Sequence, residues 1–298
     1  MPEKRSVLAE IFLTPEEKRL RSGWRLIGHL MLFILIGVLF IIPSALILPL
    51  FSADIDELLL YSAILGFPAV TISVYLARRF LDRRSFASLG LYINPQAVKD
   101  LGFGLGLTAL MMGLIFVAHL AAGWLTFDGF VWDFEPMSAV VLTSLLWLLI
   151  FLLVGWYEEL LARGYWLQTL AEGLNNFWAV SISSVVFAVL HLGNPNASLT
   201  SALGLIAAGV FLAYAYLRTR SLWLPIGLHI GWNFFQGNVF GFPVSGINTY
   251  SLLEYTVTGD RAVTGGAFGP EAGLILFPVL LIGFGLVKWY TKARQVTS

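Results

Sequence analysis

A chain of 298 residues that is 58% hydrophobic and only 12% charged has too little polar surface for a soluble globular protein, so lipid must be the solvent for much of it. Its formal net charge of zero gives no basic field that would argue for nucleic acid, and the absence of cysteine excludes disulfides, thiolate metal sites and a cysteine nucleophile. The first apolar run continues from near Trp24 to about Phe51, too long for a secretory h-region and without a small-residue cleavage site, so no signal peptide is expected.

Residues 1–23 are expected to be a cytoplasmic or interfacial segment, in which Thr14, Pro15 and Glu17 supply a cap, an N1 proline and an N3 carboxylate for a helix start. Apolar stretches follow near 24–51, 58–77, 101–124, 137–156, 176–192, 200–217, 222–238 and 270–289. They predict an all-α fold, a polytopic membrane helix bundle of about eight transmembrane helices. An even count puts both termini on one side. With the N-terminus inside, all Lys and Arg residues except Arg163 and Arg261 fall on the cytoplasmic side. Asp54, Asp56, Glu57, Asp128, Asp133, Glu135, Glu254 and Asp260 fall in outer loops. Both termini are therefore expected to be cytoplasmic, in a multi-pass protein of a prokaryotic cell membrane. On this reading 24–136 holds the N-terminal transmembrane helices and 137–238 a catalytic core. Residues 239–269 form an outer loop over the bundle entrance, and 270–298 the last transmembrane helix with a cytoplasmic tail.

A charge in hydrocarbon costs at least about 2.5 kcal/mol unless it is partnered or hydrated. The ionisable residues inside the predicted spans therefore demand a reason: Glu158, Glu159, Arg163, His191 and His229, with the Asn233 amide on the same span as His229. Glu159 and Arg163 stand at i,i+4 with the carboxylate first, the favourable order, and can neutralise each other. Glu158 is rotated about 100° around the helix and keeps no partner on its own helix, which makes it the candidate working carboxylate. A turn at Ala171-Glu172-Gly173-Leu174-Asn175-Asn176 predicts an antiparallel helix pair. Reflecting Glu158 through that turn lands about two residues, roughly 3 Å along the axis, from His191. Phe187 and His191, like His229 and Asn233, are spaced i,i+4 and share a face. A carboxylate with an imidazole suits activation of water, and an imidazole with an amide suits polarisation of a carbonyl. His29 and His119 have no polar neighbour at helical spacing and are read as packing or interfacial residues.

Glu158-Glu159-x-x-x-Arg163, Phe187-x-x-x-His191 and His229-x-x-x-Asn233, in this order on separate spans, resemble the three motifs of the CAAX protease and bacteriocin-processing family of intramembrane glutamic endopeptidases. The resemblance covers about residues 155–236. It implies that Glu158 with His191 activates a water, that His229 and Asn233 stabilise the oxyanion, and that Glu159 and Arg163 support them. Phe187 would be a further supporting residue.

Other peptidase signatures are missing. There is no His-Glu-x-x-His, no Gly-x-Ser-x-Gly, and Gly259-Asp260 lies in a polar loop without the further glycine of aspartyl intramembrane proteases. No cofactor is expected; a divalent metal at Glu158, His191 and His229 ranks below the glutamate-activated water. The expected partners are a peptide or protein substrate at the membrane and the lipid bilayer itself, without nucleic acid. The alternative from another class is a non-catalytic scaffold, or a transporter of protons or small solutes, using the same polar residues.

Overall fold

The computed structural model describes residues 6–15, 17, 19–46 and 55–292. Lys4, Arg5, Lys18, Asp54 and Arg294 of the charge pattern, and the end of the first predicted span, lie outside them. The fold is mostly helical, with a helix over each of the apolar stretches. These helices are α2 (Ser22–Ser44), α3 (Ile55–Leu76), α4 (Pro95–Ala121), α5 (Met137–Glu159), α7 (Asn176–Leu190), α8 (Leu199–Thr219), α9 (Trp223–Asn233) and α11 (Leu276–Tyr290). Shorter helices are α1 (Val7–Phe12), α6 (Leu167–Gly173) and α10 (Arg261–Thr264). Five helical stretches are long and apolar enough to cross a membrane: Ser22–Ser44, Glu57–Leu81, Pro95–Ala121, Met137–Gly173 and Leu199–Thr219. Asn176–Leu190 and Leu276–Tyr290 are apolar but shorter.

Helix starts follow local chemistry. Asn94 caps α4 by accepting from the Ala97 amide at 2.9 Å, with Pro95 at the first helical position where no N–H is needed. Asn175 caps α7 through the Trp178 amide at 3.1 Å, so the predicted turn is present and makes α6 and α7 antiparallel neighbours. Ser198 and Ser201 exchange side-chain and backbone bonds at the start of α8.

The predicted helix start at Thr14 is not there. α1 ends at Phe12, the Thr14 amide donates to the Arg19 carbonyl at 2.8 Å, and the Arg21 amide donates to Phe12 at 2.9 Å. Pro15 lacks a donor and serves a turn as well as it serves a helix start. The all-α expectation also needs amending, because β1 (Leu125–Phe130) and β2 (Leu253–Val257) pair antiparallel, with a register irregularity between Phe127 and Gly129. The last helix begins at Leu276 rather than near 270. Pro270–Ala272 instead form a 3-10 turn that belongs to the preceding loop.

At the centre lies α9, whose side chains are buried continuously from Leu224 to Asn233. It packs on α4 through small residues: a Cβ at Gly104 would come within 2.6 Å of the Leu228 amide nitrogen, so the two backbones touch. In lipid, where surrounding tails are as apolar as leucine, such close packing supplies the helix association that hydrophobic burial supplies in water. Around this contact Met111, Met112 and Ile115 of α4, Leu228 of α9 and Leu280 of α11 form a core.

α5, a π-helical turn over Leu160–Trp166 and α6 form one helical stretch, Met137–Gly173, of 37 residues. At 1.5 Å per residue that is about 55 Å, well beyond the thickness of a hydrocarbon core of about 30 Å. Its far end enters a cluster of ions. Buried Arg25 donates to Asp82 at 2.8 Å and to Glu172 at 2.6 Å, Arg78 donates to Asp82 at 2.8 Å, and Arg84 donates to Glu172 at 2.7 Å. This ties α2, the π-helical turn Ala77–Leu81 that follows α3, and α6 together.

Candidate active site

All of the motif residues converge on one cavity region. Glu158 and Glu159 close α5, with Arg163 in the π-helical turn. His191 caps the C-terminus of α7, one turn beyond Phe187, and His229 and Asn233 lie on α9. A cavity of about 730 Å³ is lined by Glu158, Phe187, His191, His229 and Asn233, and extends along apolar side chains of α2 and α3.

The adjacent glutamates are in different surroundings, as their helical phase predicted. Glu159 is fully buried; one carboxylate oxygen accepts from Arg163 at 2.7 Å and pairs with His229 Nδ1 at 2.8 Å. Arg163 is fixed in turn by donating to the Gly209 carbonyl of α8 at 3.1 Å, and its guanidinium lies 4.5 Å over the Phe187 ring. Gly209 is where α8 meets α7: a Cβ there would lie 2.9 Å from the Ser184 Cβ. Glu158 retains 22% of its side-chain exposure and faces the cavity. Its Oε2 is 3.7 Å from His191 Nε2 and 3.8 Å from His229 Nε2, beyond direct hydrogen bonds but within reach of a bridging water.

The ring nitrogens are set by their second partners. His191 Nδ1 lies 2.8 Å from the Phe187 carbonyl, which can only accept, so Nδ1 carries the proton and Nε2 of the neutral ring is an acceptor. The Phe187 ring stands 4.6 Å from that of His191 and 6.1 Å from that of His229, walling both imidazoles. With Nδ1 of His229 donating to ionised Glu159, its Nε2 can donate as well only when the ring is an imidazolium. The buried Asn233 amide lines the cavity and makes no side-chain hydrogen bond among the described residues. Metal ligation by imidazole or carboxylate needs bonds of about 2.0–2.2 Å. Among the described residues no group of three or more His, Asp or Glu side chains is arranged to hold an ion.

Of the histidines read as packing residues, His119 is buried with Nδ1 2.8 Å from its own helix at the Ile115 carbonyl. His29 has partners from other helices: Trp166 Nε1 donates to it at 3.2 Å, and Ser73 lies 3.5 Å away. Neither lines the cavity.

Sequence reasoning missed Glu271. It lies in the loop before α11 and is buried; it accepts from Trp232 Nε1 at 3.1 Å, from the Ser245 amide at 2.7 Å and from the Ser245 hydroxyl at 3.2 Å. Burial pushes its carboxyl above the usual range, while the Ser245, Gln236 and Trp232 donors and the nearby His191 act in the opposite direction. Glu271 was hidden because it sat at the edge of a predicted span, outside any motif. The only available signal was an acidic residue between Gly and Pro-rich turn chemistry and an apolar helix. Val244, Ser245, Ile247 and Thr249, within residues 239–269, wall the cavity, and so does Glu271 beyond them.

Residues 140–235, which include every motif residue, match the family described as type II CAAX prenyl endopeptidase Rce1-like. A protein of Bacillus subtilis (strain 168), named "Putative membrane peptidase YdiL", is 33% identical over 111 residues, covering 37% of this chain and 41% of that protein. The chain thus aligns with less than half the length of that curated relative. Over residues 140–235 the chain is therefore similar to the Rce1-like type II CAAX prenyl endopeptidase family.

Proposed function

We propose that this chain is an intramembrane endopeptidase that hydrolyses a peptide bond of a membrane-associated peptide or protein with a water activated by Glu158 and His191. The observation that carries the reading is the placement of Glu158 Oε2 at 3.7 and 3.8 Å from two imidazole Nε2 atoms, on a carboxylate that its neighbour Glu159 leaves free of Arg163. The family resemblance and the membrane-spanning helices agree with it.

The chemistry follows from the hydrogen-bond roles. A water that donates one proton toward Glu158 and the other toward His191 Nε2 has a lone pair free for a substrate carbonyl carbon. As the new C–O bond forms, the water's proton passes to Glu158. The carbonyl oxygen becomes an oxyanion, accepting from His229 Nε2–H, its imidazolium held by Glu159, and from the Asn233 amide. The C–N bond then breaks as Glu158 returns its proton to the leaving nitrogen. Arg163 and Phe187 hold Glu159 and the two rings in place. In the surrounding membrane we assign eight spans with cytoplasmic termini, consistent with the distribution of Lys and Arg. The core would be 137–238 and the 239–269 segment an outer loop.

The test is cleavage of a membrane-presented peptide library by the purified protein in lipid, with products identified by mass, comparing wild type with Glu158→Gln and His191→Ala. Cleavage by wild type and its loss in both variants is expected. Equal cleavage by Glu158→Gln, or none by wild type where the Bacillus subtilis relative is active, would overturn the assignment.

A further inference from the structure

A carboxylate withdrawn from water is costly unless its oxygens are satisfied. Glu271 meets that condition with neutral donors from two directions. One oxygen accepts from Trp232, which lies between His229 and Asn233 on α9, and the other accepts from the Ser245 amide and hydroxyl. The chain of bonds continues. The Ser245 carbonyl accepts from the Asn194 amide at 2.9 Å, and the Asn194 backbone N–H donates to the His191 carbonyl at 3.1 Å. Both carboxylate oxygens are thus occupied, which argues against a role in binding a ligand.

We propose that Glu271 is a positioning residue for the active site, a clasp that holds the turn after His191 and the His229–Asn233 helix at a fixed separation. These two segments are distant in sequence and meet across the cavity. The clasp is itself immobilised. Gln236 donates to the Pro243 carbonyl at 2.6 Å, the Gly246 amide donates to the Phe268 carbonyl at 2.9 Å, and the backbone carbonyl of Glu271 packs directly on Gly204 of α8. The loop therefore acts as a fixed wall that sets the spacing of two imidazoles. A displacement of about 1 Å can cost on the order of 10²-fold in rate.

A carboxylate is required by the wiring. Glutamine is nearly isosteric but offers one acceptor oxygen, so its NH2 must face the donors of either Trp232 or Ser245. Aspartate keeps both acceptors and is shorter by one methylene.

The activity arm rests on the peptidase reading, so it is paired with a measurement that does not. Steady-state kinetics of Glu271→Gln, Glu271→Asp, Trp232→Phe, Asn194→Ala and the Glu271→Gln/Asn194→Ala double variant are compared with wild type. Hydrogen–deuterium exchange is followed for wild type and Glu271→Gln without substrate. For Glu271→Gln we expect kcat to fall about 10- to 100-fold with KM within about 3-fold. Partial recovery is expected in Glu271→Asp and a smaller loss in Trp232→Phe. The double variant should be no worse than the poorer single one, since both changes break one chain. Exchange should rise at residues 192–196 and 244–247 and stay unchanged at 155–163. Unaltered kcat in Glu271→Gln, additive losses in the double variant, or unaltered exchange at 192–196 would overturn the proposal. If Glu271→Gln does not fold, Trp232→Phe and Glu271→Asp decide by the same kinetic criteria. If wild type cleaves nothing, the peptidase reading fails and the exchange pattern alone decides whether the clasp exists.

Discussion

His229 Nδ1 lies 2.8 Å from the carboxylate of Glu159, so the buried glutamate of the pair serves the imidazole, and its neighbour Glu158 is left facing the cavity. The two glutamates should therefore respond differently to the same substitution. Glu158→Gln should reduce kcat by about 10²- to 10⁴-fold and leave thermal unfolding in detergent unchanged. Glu159→Gln strands the buried Arg163 charge and should cost about 3–5 kcal/mol of stability along with activity. Thermal melts beside turnover measurements check this, and equal stability loss in both variants would refute the division of roles.

Asn233 presents its amide to the cavity, where an oxyanion would develop. Asn233→Ala should lower kcat by about 10²- to 10³-fold with little change in KM, the mark of a donor used mainly in the transition state. A rise in KM alone would instead place Asn233 in substrate binding.

Chelator treatment separates the water-activating glutamate from a metal-held water. Cleavage should persist after prolonged incubation with a strong chelator, because in the proposed mechanism the water is held by hydrogen bonds to Glu158 and His191 and by no ion. Loss of cleavage that returns on adding a divalent ion would overturn the mechanism.

Away from the cavity, Asp82 is fully buried between Arg25 and Arg78, 2.8 Å from each. Asp82→Asn leaves two guanidinium groups without their shared countercharge and should destabilise the protein by about 3–5 kcal/mol. Denaturation in detergent measures the loss, while kcat of the molecules that remain folded should be close to that of wild type.

The local part of the site could be read from the chain. The Glu159–Arg163 pair needed only helical spacing, and the approach of Glu158 to His191 needed only a turn at 171–176 and the rise per residue. What escaped was set by tertiary packing. The β1–β2 pairing joins short segments more than 120 residues apart with an irregular register, and the alternation in Leu125-Thr126-Phe127-Asp128 and Leu253-Glu254-Tyr255-Thr256-Val257 is too short to mark a sheet without the pairing itself. Thr14, Pro15 and Glu17 carry the chemistry of a helix start, but the Thr14 and Arg21 amides bond to the Arg19 and Phe12 carbonyls instead. Glu271 is one more acidic residue at the edge of a predicted span until folding buries it against Trp232 and Ser245.

The π-helical turn at Leu160–Trp166 lets one continuous stretch of helix serve two polar assemblies, the glutamates at its middle and Glu172 at its end. One surplus residue in such a turn resets the angular phase of everything beyond it by about 100°. The segment therefore behaves as a vernier between the depth of the two glutamates and the arginine cluster. Deleting a single residue at 164–166 would force a choice: with the glutamates in register, Glu172 would swing away from Arg25, and with Glu172 anchored, Glu159 and Arg163 would turn together away from His229 and the Gly209 carbonyl. Length conservation through 160–166 should thus matter more than the identity of most side chains it carries.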